Sequence, residues 1–179
     1  MTSSNETSFD AGAAEQLRAS VGEYLEGGVD GRGLRIGIVA GRFNGGITTR
    51  LLHGALAALD ECGVARSDIT LAWAPGAFEV PIVSQALSTG PRARDAVITL
   101  GAVIRGDTGH YEIVAGECAR GVQAVQLATG VPIIFGVLTT NTIEQALERS
   151  RDDGTNKGRE CALGAVEMAG LLRQGSLAR

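Results

Sequence analysis

Histidine, cysteine and tryptophan are scarce in this chain of 179 residues, with two, three and one copies. Each scarcity excludes something. The cysteines, Cys62, Cys118 and Cys161, stand far apart with no CxxC pair, so neither a zinc site nor a redox dithiol is expected. Their odd number argues against a disulfide framework, and buried free thiols in a reducing cytoplasm are the preferred reading. No block of Lys or Arg occurs and the formal net charge is −4, so no nucleic-acid or membrane surface is expected. No apolar run approaches the ~20 residues of a membrane span. The first residues lack the basic start and apolar core of a signal peptide, which leaves the sequon at Asn5 with little meaning. Internal repeats and low-complexity tracts are also missing.

What is present suits one soluble globular domain. Apolar residues make up 44 % and charged residues 20 % of a chain long enough for one sizeable core. Residues 1–33 stand apart, rich in Ser, Ala, Gly and Glu and ending in "EGGVDGRG". They read as an arm, with a short helix over 11–26 whose apolar face is thin. Residues 34–179 read as the domain proper.

From Leu34 onward, strand and helix patterns alternate. "LRIGIVA", "ITLAWAP", "DAVITLGAVI" and "VPIIFGVL" are nearly continuous apolar runs, the mark of strands buried on both faces of a parallel sheet. Between them, Ile47, Leu51, Leu52, Ala55, Leu56 and Leu59 form one helical stripe. "FEVPIVSQALS" is a second helical pattern, with Pro81 tolerable only near its start. His110 to about Ala128 is a third, with Tyr111, Val114, Ala115, Cys118, Val122 and Val125 inward. "TIEQALERS" and "KGRECALGAVEMAGLLR" close the chain. This is a doubly wound α/β layer.

In such a sheet ligands bind beyond the carboxyl ends of the strands. After the four strands come "GRFNGGIT", "PGAFEVP", "RGDTGH" and "TTNT", so the unusual polar and aromatic clusters fall on one edge. The first is not GxGxxG. It approaches a P-loop, but Ile47 stands where the phosphate-binding lysine belongs, which excludes an NTPase reading. No HExxH, nucleophile elbow or Ser-His-Asp order appears.

Phe43, past a strand end among turn-favouring residues, is better placed to cover a planar ligand than to fill a core. In "PGAFEVP" the prolines stiffen a loop in which Gly76 permits close backbone approach and Phe78 offers a second apolar surface. Two readings stay open for Glu79: complement to a helix dipole, or acceptor for a polar ligand. Gly106, Asp107, Thr108 and Gly109 suit an anion site at a helix start, with Asp107 turned away or capping the helix. The same positive helix end disfavours imidazolium, so His110 is expected to be largely neutral near pH 7 and able to accept a proton. His53, inside the first helical pattern without polar neighbours, reads as structural or surface. Arg149 and Lys157 flank the turn "SRDDGTNKG"; they are solvated cations unless an anion site lies near.

Taken together, "GRFN" with Ile47, "PGAFEVP", "GAVIRGDTGH", "FGVLTTNTIEQALER" and "NKG", in this order and spacing, resemble the lumazine synthase family over roughly Leu34 to Arg173. The resemblance implies a flavodoxin-like three-layer αβα sandwich with a four-stranded parallel sheet. It implies a transferase of riboflavin biosynthesis with small-molecule substrates and no metal or organic cofactor. The implied reaction condenses 5-amino-6-(D-ribitylamino)uracil with 3,4-dihydroxy-2-butanone 4-phosphate to 6,7-dimethyl-8-ribityllumazine. Self-association is implied as well, into pentamers with active sites between neighbouring subunits. Family members with a short turn before "NKG" close into sixty-subunit shells, and the turn here is short.

By position, Phe43 matches the residue stacking on the pyrimidine, and Ala77, Phe78 and Glu79 the loop holding the ribityl chain. Val103 and Ile104 match backbone contacts to the same substrate. Asp107 and Thr108 match the phosphate loop, Arg149 the phosphate-binding arginine, and His110 the proton-transfer residue. Phe135 matches the aromatic wall of the adjacent subunit and Lys157 a second basic residue. The sequence departs from the family's His-aromatic-Asp-Tyr-Val at Glu112, which keeps the charge, and at Ile113, which loses a hydroxyl. The long N-terminal arm is also unusual.

Overall fold

Four strands form one wholly parallel sheet in the order β2-β1-β3-β4: β1 (Ile36–Gly41), β2 (Ile69–Ala74), β3 (Ala96–Ile104) and β4 (Ile133–Thr140). The computed structural model describes residues 9–178, and the Asn5 sequon lies outside them. Ile36 pairs with Ile69 on one side and Ala96 on the other, and Val97 pairs with Ile133. β1 is buried at every position and β3 at all but Ile104, as central strands covered on both faces should be. The edge strands β2 and β4 mix buried and exposed residues, leaving Trp73 and Phe135 partly in solvent.

The described residues hold six helices, α1 (Ala11–Leu17) in the arm and, around the sheet, α2 (Gly45–Glu61), α3 (Val80–Ser88), α4 (His110–Thr129), α5 (Ile143–Arg149) and α6 (Lys157–Leu171). On one face of the sheet, Leu51 and Leu59 of α2 and Val166 of α6 pack on Ile36, Ile38, Ile98 and Leu100. On the other, Val80 of α3 and Cys118 and Val122 of α4 pack on Val39, Val97 and Val137. All three cysteines are buried and free. Among the described residues no helix is long and apolar enough to cross a membrane.

The helix expected over 11–26 is shorter. Asp10 caps α1 by accepting from Ala13 N–H at 3.0 Å, and after Leu17 only a 3-10 turn follows, to Ser20. Beyond it the chain gives up helical bonds for contacts with the body of the protein. The Glu23 carboxylate accepts from Ser176 N–H and Oγ–H, Glu26 C=O from Gln174 Nε2–H at 2.8 Å, and Cys62 C=O from Gly31 N–H at 2.8 Å. A side chain at Gly27 would strike Glu167 backbone at 2.5 Å, so this segment lies flat on α6. The strand order places a switch point between β1 and β3, because the chain leaves β1 for β2 and then crosses back. Their carboxyl ends open a crevice there.

Candidate active site

The crevice holds a cleft of about 740 Å³, within the range of small-molecule sites. Its floor is Gly41 from β1 and the end of β3 from Gly101 to Ile104. Its walls are Phe43, the loop from Pro75 to Glu79, and the start of α4 with Thr108, His110 and Tyr111. Most of the lining is apolar, with few polar groups converging on it.

Local chemistry explains each wall. Asn44 holds the Phe43 loop in a left-handed conformation, φ 56°, unusual for a residue with a side chain. Its amide donates to Ala102 C=O at 2.9 Å, pinning the loop to β3, while Phe43 N–H donates to Pro75 C=O at 3.1 Å. The Phe43 ring, 73 % exposed, is left facing solvent at the cleft mouth, and Phe78 across from it is 55 % exposed. Two large exposed aromatics lining one cleft have apolar faces still to cover. A side chain at Gly76 would approach Glu79 Oε2 at 3.4 Å, so glycine lets the loop close over the carboxylate.

The loop after β3 is exposed and ends at α4 without a side-chain cap from Gly109. Among the described residues, His110 N–H approaches Thr108 Oγ1 at 3.4 Å and the Glu112 backbone N–H serves its own carboxylate, so only part of the first turn of α4 stays open to an anion. Asp107 neither caps the helix nor lines the cleft.

Arg105, which sequence reasoning passed over, organises this corner. Its guanidinium carbon lies 4.2 Å from the Tyr111 ring centre, one nitrogen pairs with Glu112, and Nε donates to Asn141 Oδ1 at 3.0 Å. The Arg105 hydrogen bond, with help from the helix backbone, holds the Glu112 carboxyl below the ordinary carboxylate range. The signal was available: an arginine directly after a buried strand needs partners.

Phe43, Ala77, Phe78, Glu79, Val103, Ile104, Thr108 and His110 are thus brought together, while Phe135, Arg149 and Lys157 are not on the cleft. Phe135 sits on edge strand β4, 38 % exposed. Arg149, exposed at the end of α5, donates to Gln145 C=O at 3.0 Å. Lys157 pairs with Glu160 at 2.7 Å. The turn between them is set by buried Asn156, whose amide donates to Arg50 C=O and Arg151 C=O and whose oxygen caps α6. Asn44 and Asn156 were also passed over; an asparagine beside glycines or before a helix is the signal for such roles. Among the described residues no three His, Cys, Asp or Glu side chains converge as metal ligands would.

Residues 33–173 match the family of 6,7-dimethyl-8-ribityllumazine synthase. The chain belongs to that family. It is accordingly a transferase of riboflavin biosynthesis, from a family that acts on small molecules and assembles into oligomers, and its sheet and flanking layers are consistent with the family's flavodoxin-like fold.

Proposed function

We propose that this lumazine synthase family member condenses 5-amino-6-(D-ribitylamino)uracil with 3,4-dihydroxy-2-butanone 4-phosphate, releasing 6,7-dimethyl-8-ribityllumazine, phosphate and water. One observation carries the reading. A single cleft joins two exposed aromatic faces, a carboxylate and an open helix N-terminus bearing a histidine.

The aromatic face of Phe43 receives the pyrimidine. Ala77, Phe78 and Glu79 line the ribityl chain, whose hydroxyls the Glu79 carboxylate accepts, and Val103 and Ile104 offer backbone groups to the same substrate. The start of α4 and Thr108 on the cleft wall receive the phosphate of the ketone, with Asp107 on the same loop but off the cleft. Loss of that phosphate leaves negative charge on the departing group, which the helix end and Arg149 offset. Imine formation and ring closure each move protons near neutral pH, the role assigned to His110. These are acid–base steps, for which no metal or organic cofactor is invoked.

Arg149, Lys157 and Phe135 lie off the cleft of their own chain, which favours a site completed by a neighbour. In this reading the protein forms pentamers with active sites between subunits. The short turn before Asn156 favours a sixty-subunit shell, and three unpaired thiols suit the cytoplasm.

The test mixes purified protein with both substrates and follows lumazine fluorescence above the uncatalysed rate. His110→Ala should lower turnover about tenfold or more while leaving assembly unchanged. A rate equal to wild type would remove the assigned role. No product from assembled wild-type protein would leave a ligand-holding flavodoxin-like protein instead.

A further inference from the structure

The start of α4 is tied to the β4–α5 turn of its own chain by a continuous polar bridge, which runs on through α5 to Arg149 at its far end. Arg105 stacks on Tyr111 at 4.2 Å and pairs with Glu112, both in the first turn of α4 and directly after His110. Its Nε donates to Asn141 Oδ1 at 3.0 Å, and its backbone N–H donates to Thr140 C=O at 2.9 Å. Asn141 N–H in turn donates to Gln145 Oε1 at 2.9 Å. The Gln145 C=O accepts from Arg149 Nη1 at 3.0 Å.

We propose that Arg105 is a positioning residue: it fixes the first turn of α4, and with it His110, against the β4–α5 turn at Asn141. The proposal rests on the function argued above. Geometry favours positioning over general stability. The Arg105 and Glu112 side chains are 44 % and 55 % exposed, and ion pairs that open to water stabilise little. What the guanidinium supplies is direction, since its plane engages a ring, a carboxylate and an amide at once. A loop lined by glycines has no packing of its own to hold that register: side chains built at Gly106 and Gly109 would meet nothing within 4 Å. Displacements of about 1 Å at a reacting group cost up to ~100-fold in rate.

Arg105→Met keeps the apolar stem and removes the bridge. The Michaelis constant for the butanone phosphate should rise about tenfold, with that for the pyrimidine within about twofold and the melting temperature nearly unchanged. Arg105→Lys should recover only part of the loss, because an ammonium cannot engage all three partners. Asn141→Ala, which cuts the link toward α5 alone, should raise the same constant by a smaller factor; it serves if Arg105→Met fails to assemble. Equal rises for both substrates, or no rise in either variant, would overturn the proposal. Wild type is assayed first. If it makes no lumazine, the function reading fails separately, and Arg105 is judged on inorganic phosphate alone. Phosphate should then raise the melting temperature of wild type and not of Arg105→Met; equal rises would overturn the proposal.

Discussion

Replacing Gly158 by alanine should damage this protein more than any ordinary glycine substitution. Gly158 is the second residue of α6 and is buried where α6 crosses α2. A Cβ there would lie 1.9 Å from Leu51 O, 2.6 Å from Leu51 C and 2.9 Å from Leu51 Cα. These are backbone atoms in the middle of α2, with no flexible tip to swing aside. The closest separation must grow from 1.9 Å to at least 3.0 Å, so the two helices must part by about an ångström. Overpacking of this kind costs about 1–3 kcal/mol. A gap of 0.5–1 Å also forfeits roughly a quarter to a half of each dispersion contact across the seam, here among Leu51, Ala55, Ala162 and Ala165. We expect a total near 3–4 kcal/mol. For a domain of this size that lowers the melting temperature by roughly 6–16 °C.

Gly164→Ala, in the same helix, is the control. Its new methyl would meet only Ile134 Cγ2, at an ordinary 3.9 Å. It should be neutral, or stabilise by about 0.5–1 kcal/mol through helix propensity. Both variants are unfolded by heat at one fixed subunit concentration, because assembly raises apparent stability by mass action. Gly158→Ala melting within about 2 °C of Gly164→Ala would refute the crossing argument.

Of two further outcomes, the first rests on the proposed function and the second on geometry. Arg149→Ala should raise the Michaelis constant for the phosphorylated ketone about tenfold and leave that for the pyrimidine nearly unchanged, as expected for loss of a charged phosphate contact; steady-state kinetics with each substrate varied in turn decides, and equal effects would remove the contact. Arg159 donates to both oxygens of Glu61, at 2.8 and 2.6 Å, tying α6 to α2, and holds the Glu61 carboxyl below its ordinary 4.5. A carboxyl depressed in the folded state stabilises above its unfolded value and loses that contribution as pH falls through the folded one. Glu61→Gln should therefore melt below wild type at pH 7, and the gap should close as pH drops below 4.5; a gap of constant size down to acid pH would show that the ion pair is not its source.

The parts of this fold legible in the sequence are those whose physics is local. β1 and β3 read as strands because burial on both faces demands unbroken apolar runs, and α2 and α4 read as helices because only one face of each is apolar. Phe43 and Phe78 stood out because aromatic rings placed just past strand ends have no core to enter, and both line the cleft. The arm was harder. Its path after Ser20 is set by Glu23, Glu26 and Gly31, whose partners Ser176, Gln174 and Cys62 lie far along the chain and carry no local mark. Arg105 carried a local mark in its place directly after a buried strand, but its partner Asn141, 36 residues away, did not.

The site divides along the same line. A chain motif says which residues belong to one chemistry, and not that one molecule brings them to one place. Phe135 faces outward because β4 is an edge strand, and Arg149 and Lys157 are carried to the ends of α5 and α6 rather than to the mouth between β1 and β3. The cleft holds rings, a carboxylate and a histidine, but among the described residues no lysine or arginine lines it. A phosphate bound there meets helix dipoles alone until a cation arrives from outside the cleft. The proposed chemistry then calls for a cation from a neighbouring subunit. It makes a sharp demand: mixed particles of Arg149→Ala and His110→Ala subunits should regain activity at those boundaries where an intact cleft faces an intact arginine. Mixed particles no more active than the average of the two parents would place both groups in one subunit's site and refute the shared arrangement.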